Sequence, residues 1–172
     1  MGTIEIRLLT TEDVPAFWEL RLEALMMDPG AFGSSAEDLR AMGVSGFAAR
    51  LAGSAEDKFV VGAFDDGSLV ATAGFARESG PKEGHKGRIW GVYATPRVRG
   101  QGLAGRVMRL ALERAARCTG IEQITLQCRT GSVAMKLYES VGFRSYGQER
   151  HALKIGDIYI DEDLMVLDVS AR

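Results

Sequence analysis

The residues with the clearest chemical potential lie at positions 97–105, in the run Arg-Val-Arg-Gly-Gln-Gly-Leu-Ala-Gly. We predict that a strand ends just before this run, at Thr95-Pro96, and that a long helix begins at about Gly102. A helix start carries unpaired backbone N–H groups and about half a positive charge. Glycine lets the backbone come close to a bulky anion. With Arg97 and Arg99 beside it, the run predicts a phosphate site.

The glycine spacing leaves the phosphate ligand open at this point. The Gly-Lys-Ser/Thr sequence of a nucleoside triphosphate loop is absent. Gly100, Gly102 and Gly105 match a dinucleotide fingerprint, and Glu122 follows at roughly the 20-residue distance of its acidic partner. However, Glu122 lies near the start of a predicted strand, and the hairpins predicted upstream do not fit a repeated parallel fold. A nicotinamide-binding protein therefore stays as a distant alternative.

The elements that must position this run follow from hydrophobic periodicity and from turn signals. We predict a strand, two helices, three strands, a helix, a strand, a helix and two strands. The predicted ranges are 4–8, 11–28, 35–53, 59–64, 69–76, 87–94, 102–119, 121–128, 132–141, 143–149 and 157–168. The central hairpins imply antiparallel pairing, and the strand–helix–strand unit at 87–128 implies a parallel pair. The predicted class is α+β, with a mixed, mostly antiparallel sheet of about seven strands and helices on both faces.

Composition excludes several function classes. The 172 residues are 46% hydrophobic and 26% charged with a net charge of −2, which predicts one domain over 1–172 and no broad nucleic-acid binding. Cys118 and Cys128 make no disulfide framework, and His85 and His151 have no partners at metal-site spacing, so we expect no metal. No apolar run approaches the 18 residues of a membrane span, and no secretory signal is present, which predicts a cytoplasmic protein.

Three segments together resemble one known family. Residues 97–102 resemble the Gln/Arg-x-x-Gly-x-Gly/Ala signature of the GNAT superfamily of acetyl-CoA-dependent N-acetyltransferases. The preceding Trp-Gly-Val-Tyr-Ala-Thr-Pro at 90–96 resembles the fourth strand of that family. The segment Ala-Met-Lys-Leu-Tyr-Glu-Ser-Val-Gly-Phe at 134–143 is similar to its Ala-x-x-Leu-Tyr-x-x-x-Gly-Phe segment. The element order over nearly the whole chain is similar as well.

The resemblance implies a role for particular residues. Backbone N–H groups at 98–103 would hold the pyrophosphate of coenzyme A (CoA), and the fourth strand would pair with its pantetheine arm where the fourth and fifth strands splay apart. Tyr138 would protonate the leaving thiolate, which suits a phenol with a pKa near 10. The predicted cofactor-binding residues are Val92, Tyr93, Ala94, Arg97, Val98, Arg99, Gly100, Gln101, Gly102, Leu103, Ala104, Gly105 and Ser132.

The chain departs from the family pattern at two points. Family members often carry Asn three residues before the alanine of the second motif, but this chain has Gly131, which leaves Thr130 or Ser132 for that contact. The general base is also open, because the fourth strand contains no Glu. The candidates, chosen by neighbourhood alone, are Glu23, Glu78, Glu83 and His85.

The resemblance implies acetyl transfer from acetyl-CoA to a primary amine, by direct attack in a ternary complex. The acceptor would be a small molecule or a peptide, with a pocket built from the first two helices and the last strands. A homodimer is an option that the family allows. The alternative is a non-catalytic acyl-CoA-binding sensor or subunit with the same fold.

Overall fold

The computed structural model describes residues 2–51 and 56–169. Strands β1 to β7 cover Ile4–Leu8, Lys58–Asp65, Ser68–Arg77, Lys86–Ala94, Gln123–Arg129, Arg144–Ile155 and Ile158–Asp168. Helices α1 to α4 cover Val14–Met27, Ala36–Ala48, Leu103–Arg117 and Val133–Ser140. This element order is the one that the sequence predicts, and the α+β class is confirmed.

The seven strands form one sheet in the order β1-β2-β3-β4-β5-β7-β6. All neighbours are antiparallel except β4 and β5, which α3 connects as a parallel pair. That parallel pairing covers three positions and ends at Arg88 and Thr125. On its β5 side, the rest of β4 therefore faces a gap in the middle of the sheet, while its other side stays paired with β3.

Helices lie on both faces of the sheet, as predicted. Because successive strand residues point to opposite faces, β2 contributes to two cores. Val61 belongs to the same buried cluster as Val107 of α3, while Val60 belongs to the cluster that contains Phe17 of α1. The gap between β4 and β5 thus lies between two helical layers.

Helix α3 is positioned by its own residue pattern. Leu103, Val107, Ala111 and Ala115 recur at four-residue steps and are all buried, which is the stripe that a helix presents to a sheet. Gly120, at φ +76°, follows the last turn, as the sequence predicts. The stripe fixes α3 on the sheet and so fixes where its first turn lies.

Helix α2 begins and bends where the sequence indicates. The Ser35 hydroxyl accepts a hydrogen bond from the Asp38 backbone N–H at 3.0 Å, and the Asp38 carboxylate accepts from the Ser35 N–H at 3.0 Å. This reciprocal pair is the predicted capping box. Gly43 interrupts the helix at φ +69°. The predicted end near Gly53 lies outside the described residues.

The last hairpin is longer than its sequence indicates. We expect a loop around 154–156, but β6 continues to Ile155 and turns at Gly156, which has φ +58°. A bulge explains the difference: His151 has φ +56°, and its backbone N–H donates to the Asp161 carboxylate at 2.7 Å. The bulge breaks the alternation by which a strand is recognised in sequence.

Candidate active site

The first turn of α3 is an open anion site. Gly102 precedes it at φ +75° and ψ +4°, no side chain caps the helix, and no acid lies in the first turn. The N–H groups of Leu103, Ala104 and Gly105 consequently have no intrahelical acceptor. A Cβ added at Gly100 or Gly102 would meet no atom within 4 Å. The space in front of the helix is therefore clear for a bulky ligand.

The two arginines of this run are held by the protein itself. An Arg97 Nη1 nitrogen lies 2.8 Å from the Asp65 carboxylate at the end of β2. Arg99 donates from Nε to the Ala94 carbonyl at 2.9 Å and lies over the Tyr93 ring at 5.5 Å. The backbone of the helix start, more than Arg97, thus supplies the unpaired positive potential.

A cavity of about 560 Å³ runs from the start of α3 into the gap between β4 and β5. Arg99 and Ala104 line its end near α3, and Leu137 and Tyr138 line it from α4. Its strand walls are Ile89, Trp90, Gly91, Val92, Tyr93 and Ala94 on one side and Leu126, Gln127, Cys128 and Arg129 on the other. The predicted phosphate site and Tyr138 therefore open into one space.

A bulge in β4 shapes the middle of this cavity. Thr72 pairs with Tyr93 and Gly74 pairs with Trp90, so two β4 residues oppose one residue of β3. Gly91 lies in the bulge at φ +62°, and its carbonyl accepts a hydrogen bond from the Thr72 hydroxyl at 3.1 Å. A bulge bends its strand, and this one lies where β4 leaves β5.

Tyr138 combines burial with access to the cavity. Its residue is 6% exposed, and its ring packs edge-on against Phe143 at 6.3 Å between centroids. Burial, and secondarily the neighbouring Cys128 thiol, raises the pKa of Tyr138 well above its ordinary value. The phenol is consequently protonated at neutral pH and is a proton donor rather than a base.

At Gly131, where the sequence departs from the family pattern, the backbone is left-handed. Gly131 has φ +72°, a conformation that glycine and asparagine adopt more readily than other residues. Ser132 precedes α4, and its hydroxyl is buried with no hydrogen-bond partner among the described residues.

Burial raises the pKa of Cys128 to about 11, so this thiol is a packing group and no nucleophile.

A second cavity, of about 710 Å³, adjoins the first. The two share Ala31, Phe32, Ile89, Trp90, Gly91 and Gln127. Residues of α1, α2, β6 and β7 complete its wall, among them Arg21, Met42, Glu149 and Glu162. The shared residues of β4 and β5 place the second cavity beside the gap between these strands.

The base candidates that the sequence suggests are engaged elsewhere. Glu23 accepts a hydrogen bond from the Tyr93 hydroxyl at 2.8 Å, and this contact, after burial, raises the pKa of Tyr93 to about 12. Glu78 lies 3.8 Å from Arg88, and Glu83 lies 3.4 Å from Lys86. In the part of the chain that the structure describes, neither these three nor His85 lines the two cavities.

Glu149 and Glu162 are the carboxylates that line the second cavity, and Glu162 is the buried one. It is 8% exposed, and burial, followed by repulsion from Glu149 on the neighbouring strand, raises its pKa. The acidic run Asp161-Glu162-Asp163 near the last strand suggests a cationic acceptor from the sequence alone, although Glu162 is not among the base candidates chosen there. Consecutive side chains of a strand point to opposite faces, so the acidic run at 161–163 must send at least one carboxylate inward.

Arg21 is a second residue that sequence reasoning missed. It lies on the buried stripe of α1 with Phe17, Ala24 and Leu25, and it is 9% exposed. An arginine at an apolar position of an amphipathic helix is the signal that identifies it. It is one of the residues that line the second cavity.

A metal site, a membrane-spanning helix and a nicotinamide-binding sheet find no support in residues 2–51 and 56–169. No cluster of three or more His, Cys, Asp or Glu side chains is suited to hold a metal ion. None of the helices there has the length and apolar character needed to cross a membrane. The sheet also has a single parallel pair among these residues, whereas a nicotinamide-binding domain repeats parallel strands.

Comparison with protein families gives one match. A family model described as the acetyltransferase (GNAT) family matches residues 17–143. The matched region contains the gap, the start of α3 and Tyr138. A comparison with curated proteins gives no match to this chain.

Solved structures share the fold over nearly the whole chain. A GNAT-family acetyltransferase from Streptococcus pneumoniae superposes with a TM-score of 0.86 at 19% identity, covering 96% of this chain and 99% of its own. The yncA protein from Salmonella typhimurium, solved with its cofactor acetyl-CoA, gives 0.81 at 19%, covering 98% and 95%. The ribosomal-protein-S18-alanine N-acetyltransferase from Escherichia coli gives 0.71 at 19%, covering 97% and 94%. At 19% identity, these similarities show that the chain has the same fold, and they show only the fold.

Proposed function

The chain belongs to the acetyltransferase (GNAT) family, and we propose that it transfers the acetyl group of acetyl-CoA to a primary amine by direct attack in a ternary complex. One observation carries the proposal: a single cavity joins the uncapped start of α3 to the buried phenol of Tyr138. The cavity thus offers an anion site at one end and a proton donor further in, as an acyl-CoA thioester requires.

The residues present fit acetyl-CoA as co-substrate. The free N–H groups at the start of α3 suit a pyrophosphate, and Gly100 and Gly102 leave room for it. Beyond Arg88, β4 has no strand partner on its β5 side among the described residues, so the backbone of Val92 is available to the amides of the pantetheine arm. The Ala94 carbonyl already accepts from Arg99. The Salmonella protein of the same fold was solved with acetyl-CoA, which agrees with this assignment.

The proposed chemistry needs a base and an acid. Glu162 takes a proton from the acceptor ammonium, and the neutral amine then attacks the thioester carbon. The C–N bond forms as the C–S bond breaks, and Tyr138 gives its proton to the leaving sulfur. The second proton that the nitrogen loses as the amide forms returns to the Tyr138 phenolate, and Glu162 releases its proton to solvent. Holding amine and thioester together lowers the barrier further, by roughly 7–11 kcal/mol at best.

An acetylation screen on the full chain tests this function. Acetyl-CoA is mixed with amino acids, polyamines, aminoglycosides and peptides, and both released thiol and acetylated product are measured. CoA and NADH are titrated separately. We expect CoA to bind, NADH not to bind, and at least one amine class to be acetylated. CoA binding without turnover of any amine would favour the acyl-CoA sensor, and absence of CoA binding would contradict both functions.

A further inference from the structure

The second cavity contains a buried cation without a counter-ion. The Nη1 nitrogen of Arg21 is buried and has no hydrogen-bond partner among the described residues. No ion pair joins Arg21 to an acid within 2–51 and 56–169, and its only close charged neighbour is a second arginine, Arg50. Buried charges in proteins are ordinarily paired, so an anion from outside the chain is the partner that is missing.

Aromatic rings hold the two guanidinium groups in place. The guanidinium carbon of Arg21 lies 4.4 Å from the centre of the Phe32 ring, and that of Arg50 lies 5.1 Å from the Trp90 ring. The Nε nitrogen of Arg50 is also buried without a hydrogen-bond partner in the described part of the chain. A ring that faces a guanidinium positions the cation. It accepts no hydrogen bond from the N–H groups, because these lie in the plane of the guanidinium. Each of these two cavity-lining arginines therefore keeps one donor without a partner among the described residues.

The pair of arginines keeps its charge at neutral pH. Burial, and then repulsion from Arg50, lowers the pKa of Arg21 to about 10. Burial also lowers the pKa of Arg50. A guanidinium with a pKa near 10 is still protonated at pH 7, so Arg21 and Arg50 bring two positive charges to the cavity. Lys58 and Arg88 also line it, but Lys58 donates to the Ala49 carbonyl and Arg88 pairs with Glu78.

Arg21 lies beside the reacting centre. A Cβ added at Gly91, in the β4 bulge, would be 3.8 Å from its Nη1 nitrogen. Gly91 lines both cavities. A group bound to Arg21 is therefore within a few bonds of the place where the acyl-CoA cavity opens into the acceptor cavity.

The β6–β7 side of the same cavity is acidic. Glu149 and Glu162 are directly paired across β6 and β7, and both line the cavity. Apolar side chains also line it, among them Met42, Trp90 and Leu153. The cavity lining thus combines cations, carboxylates and apolar surface.

We infer that the acceptor is an α-amino acid with an apolar side chain, or a close analogue, whose carboxylate binds Arg21 beside Arg50 and whose amine faces Glu162. This inference rests on the proposed function and names its substrate class. A polyamine offers no anion to Arg21, and a peptide N-terminus has no carboxylate next to its amine. A planar guanidinium fork matches a carboxylate with two parallel hydrogen bonds.

Matched acceptors test the inference. Leucine is compared with leucinamide and isoamylamine, and phenylalanine with phenylalaninamide and phenethylamine, by thiol release at saturating acetyl-CoA. Binding of leucine to the CoA-bound protein is measured by calorimetry, which does not depend on turnover. We expect kcat/KM for each amino acid to exceed that of its amide and of its decarboxylated amine by about tenfold or more, the scale of a charged hydrogen bond.

Two substitutions and a control assign this preference to Arg21. We expect Arg21→Gln to remove the preference, mainly by raising KM for leucine, so that kcat/KM falls about tenfold or more further for leucine than for isoamylamine. Arg21→Lys keeps the charge but not the fork and should retain part of the preference. Arg40→Gln is the matched control, since Arg40 is an exposed residue of α2 outside the cavity.

The outcomes separate this inference from the function that it rests on. Equal kcat/KM for leucine and isoamylamine would overturn the inference and leave acetyl transfer intact. An equal loss for both acceptors in Arg21→Gln would also overturn it, because Arg21 would then serve the acetyl group and not the acceptor. If no amine is acetylated, leucine binding that Arg21→Gln weakens still supports the site, and unchanged or absent binding refutes it.

Discussion

Tyr138 and Glu162 are ionisable groups whose pKa burial raises, with opposite consequences. For the phenol, the raised pKa removes any prospect of ionisation at neutral pH and leaves a proton donor. For the carboxyl group, it strengthens the basicity of the ionised form. They lie on different elements and line different cavities that meet at the β4 bulge. Amide formation from a thioester needs a base near the amine and an acid near the leaving sulfur.

Replacing Tyr138 with Phe tests the donor. We expect kcat to fall about 10²- to 10⁴-fold, the usual range for a lost general acid, while the Kd of CoA stays within about twofold of wild type. Steady-state kinetics and calorimetric titration measure the two quantities. Tyr146→Phe is the control, because Tyr146 is 61% exposed. Turnover that survives in Tyr138→Phe at the wild-type rate would remove the acid role.

Replacing Glu162 with Gln tests the base. Because burial raises its pKa above the ordinary 4.5, kcat/KM in the wild type should fall as the pH drops through that raised value. Glu162→Gln should lower kcat/KM about 10²-fold or more at neutral pH and abolish this acidic limb. Glu113 is an exposed residue of α3, so Glu113→Gln should keep the wild-type kcat/KM at neutral pH and the acidic limb. A variant that retains the acidic limb would point to another base.

At the scale of elements, the site depends on two interruptions of regular structure. The β4 strand carries a bulge at Gly91 and loses its partner after Arg88, which opens the sheet. Helix α3 starts at a left-handed glycine without a capping side chain, which leaves its N–H groups free. An N-terminal cap ordinarily stabilises a helix by about 1 kcal/mol, so its absence fits a turn kept open for a ligand.

Introducing a carboxylate at Gly102 tests the anion site. Asp and Asn both tolerate the left-handed conformation that Gly102 adopts, and nothing lies within 4 Å of a Cβ there. Gly102→Asp should cap α3 and raise the Kd of CoA by about tenfold or more through repulsion of the pyrophosphate. Gly102→Asn has the same shape without the charge and should weaken binding less. Titration calorimetry measures both, and equal Kd values would argue against phosphate at this helix start.

At the scale of the whole molecule, the site is assembled from layers that must keep their relative positions. Arg21 reaches the cavity from α1, while Glu162 reaches it from the sheet. The start of α1 is tied to β1 by a partly buried ion pair, in which Arg7 donates to the Asp13 carboxylate at 2.7 and 2.8 Å. Thr10 adds a backbone hydrogen bond to the same carboxylate at 2.7 Å. This pair helps to fix the helix that carries Arg21.

Acid unfolding tests that tie. The hydrogen bonds from Arg7, with those from Thr10, lower the pKa of Asp13 from 3.8 to about 2. A depressed carboxyl pKa contributes stability above pH 4, and this contribution is lost as the pH falls from about 4 to about 2. Asp13→Asn should lower the free energy of unfolding by about 1–3 kcal/mol at pH 7 and by less near pH 2. Urea unfolding at both pH values measures this, with exposed Glu12→Gln as control. A deficit that does not shrink in acid would contradict it.

The sequence by itself determined the features that depend on local order. Hydrophobic periodicity predicted the order of strands and helices, and glycines at a strand–helix junction predicted the anion site at Gly102. The position of Tyr138 in its motif predicted a donor near the cofactor, and the structure places that tyrosine in the cavity that reaches α3. These features are readable because each depends on residues within a few turns of one another.

Only the tertiary structure decided which charges face the acceptor. The Arg97 guanidinium, predicted to stand beside the phosphate turn, is paired with Asp65 from another strand. Glu162 and Arg21 line one cavity because the β6–β7 register and the packing of α1 turn their side chains toward the gap. Such encounters depend on sheet register and on helix rotation, in which a one-residue shift moves a side chain to another face. Local patterns mark each residue as facing inward, but they do not specify that the two line one cavity.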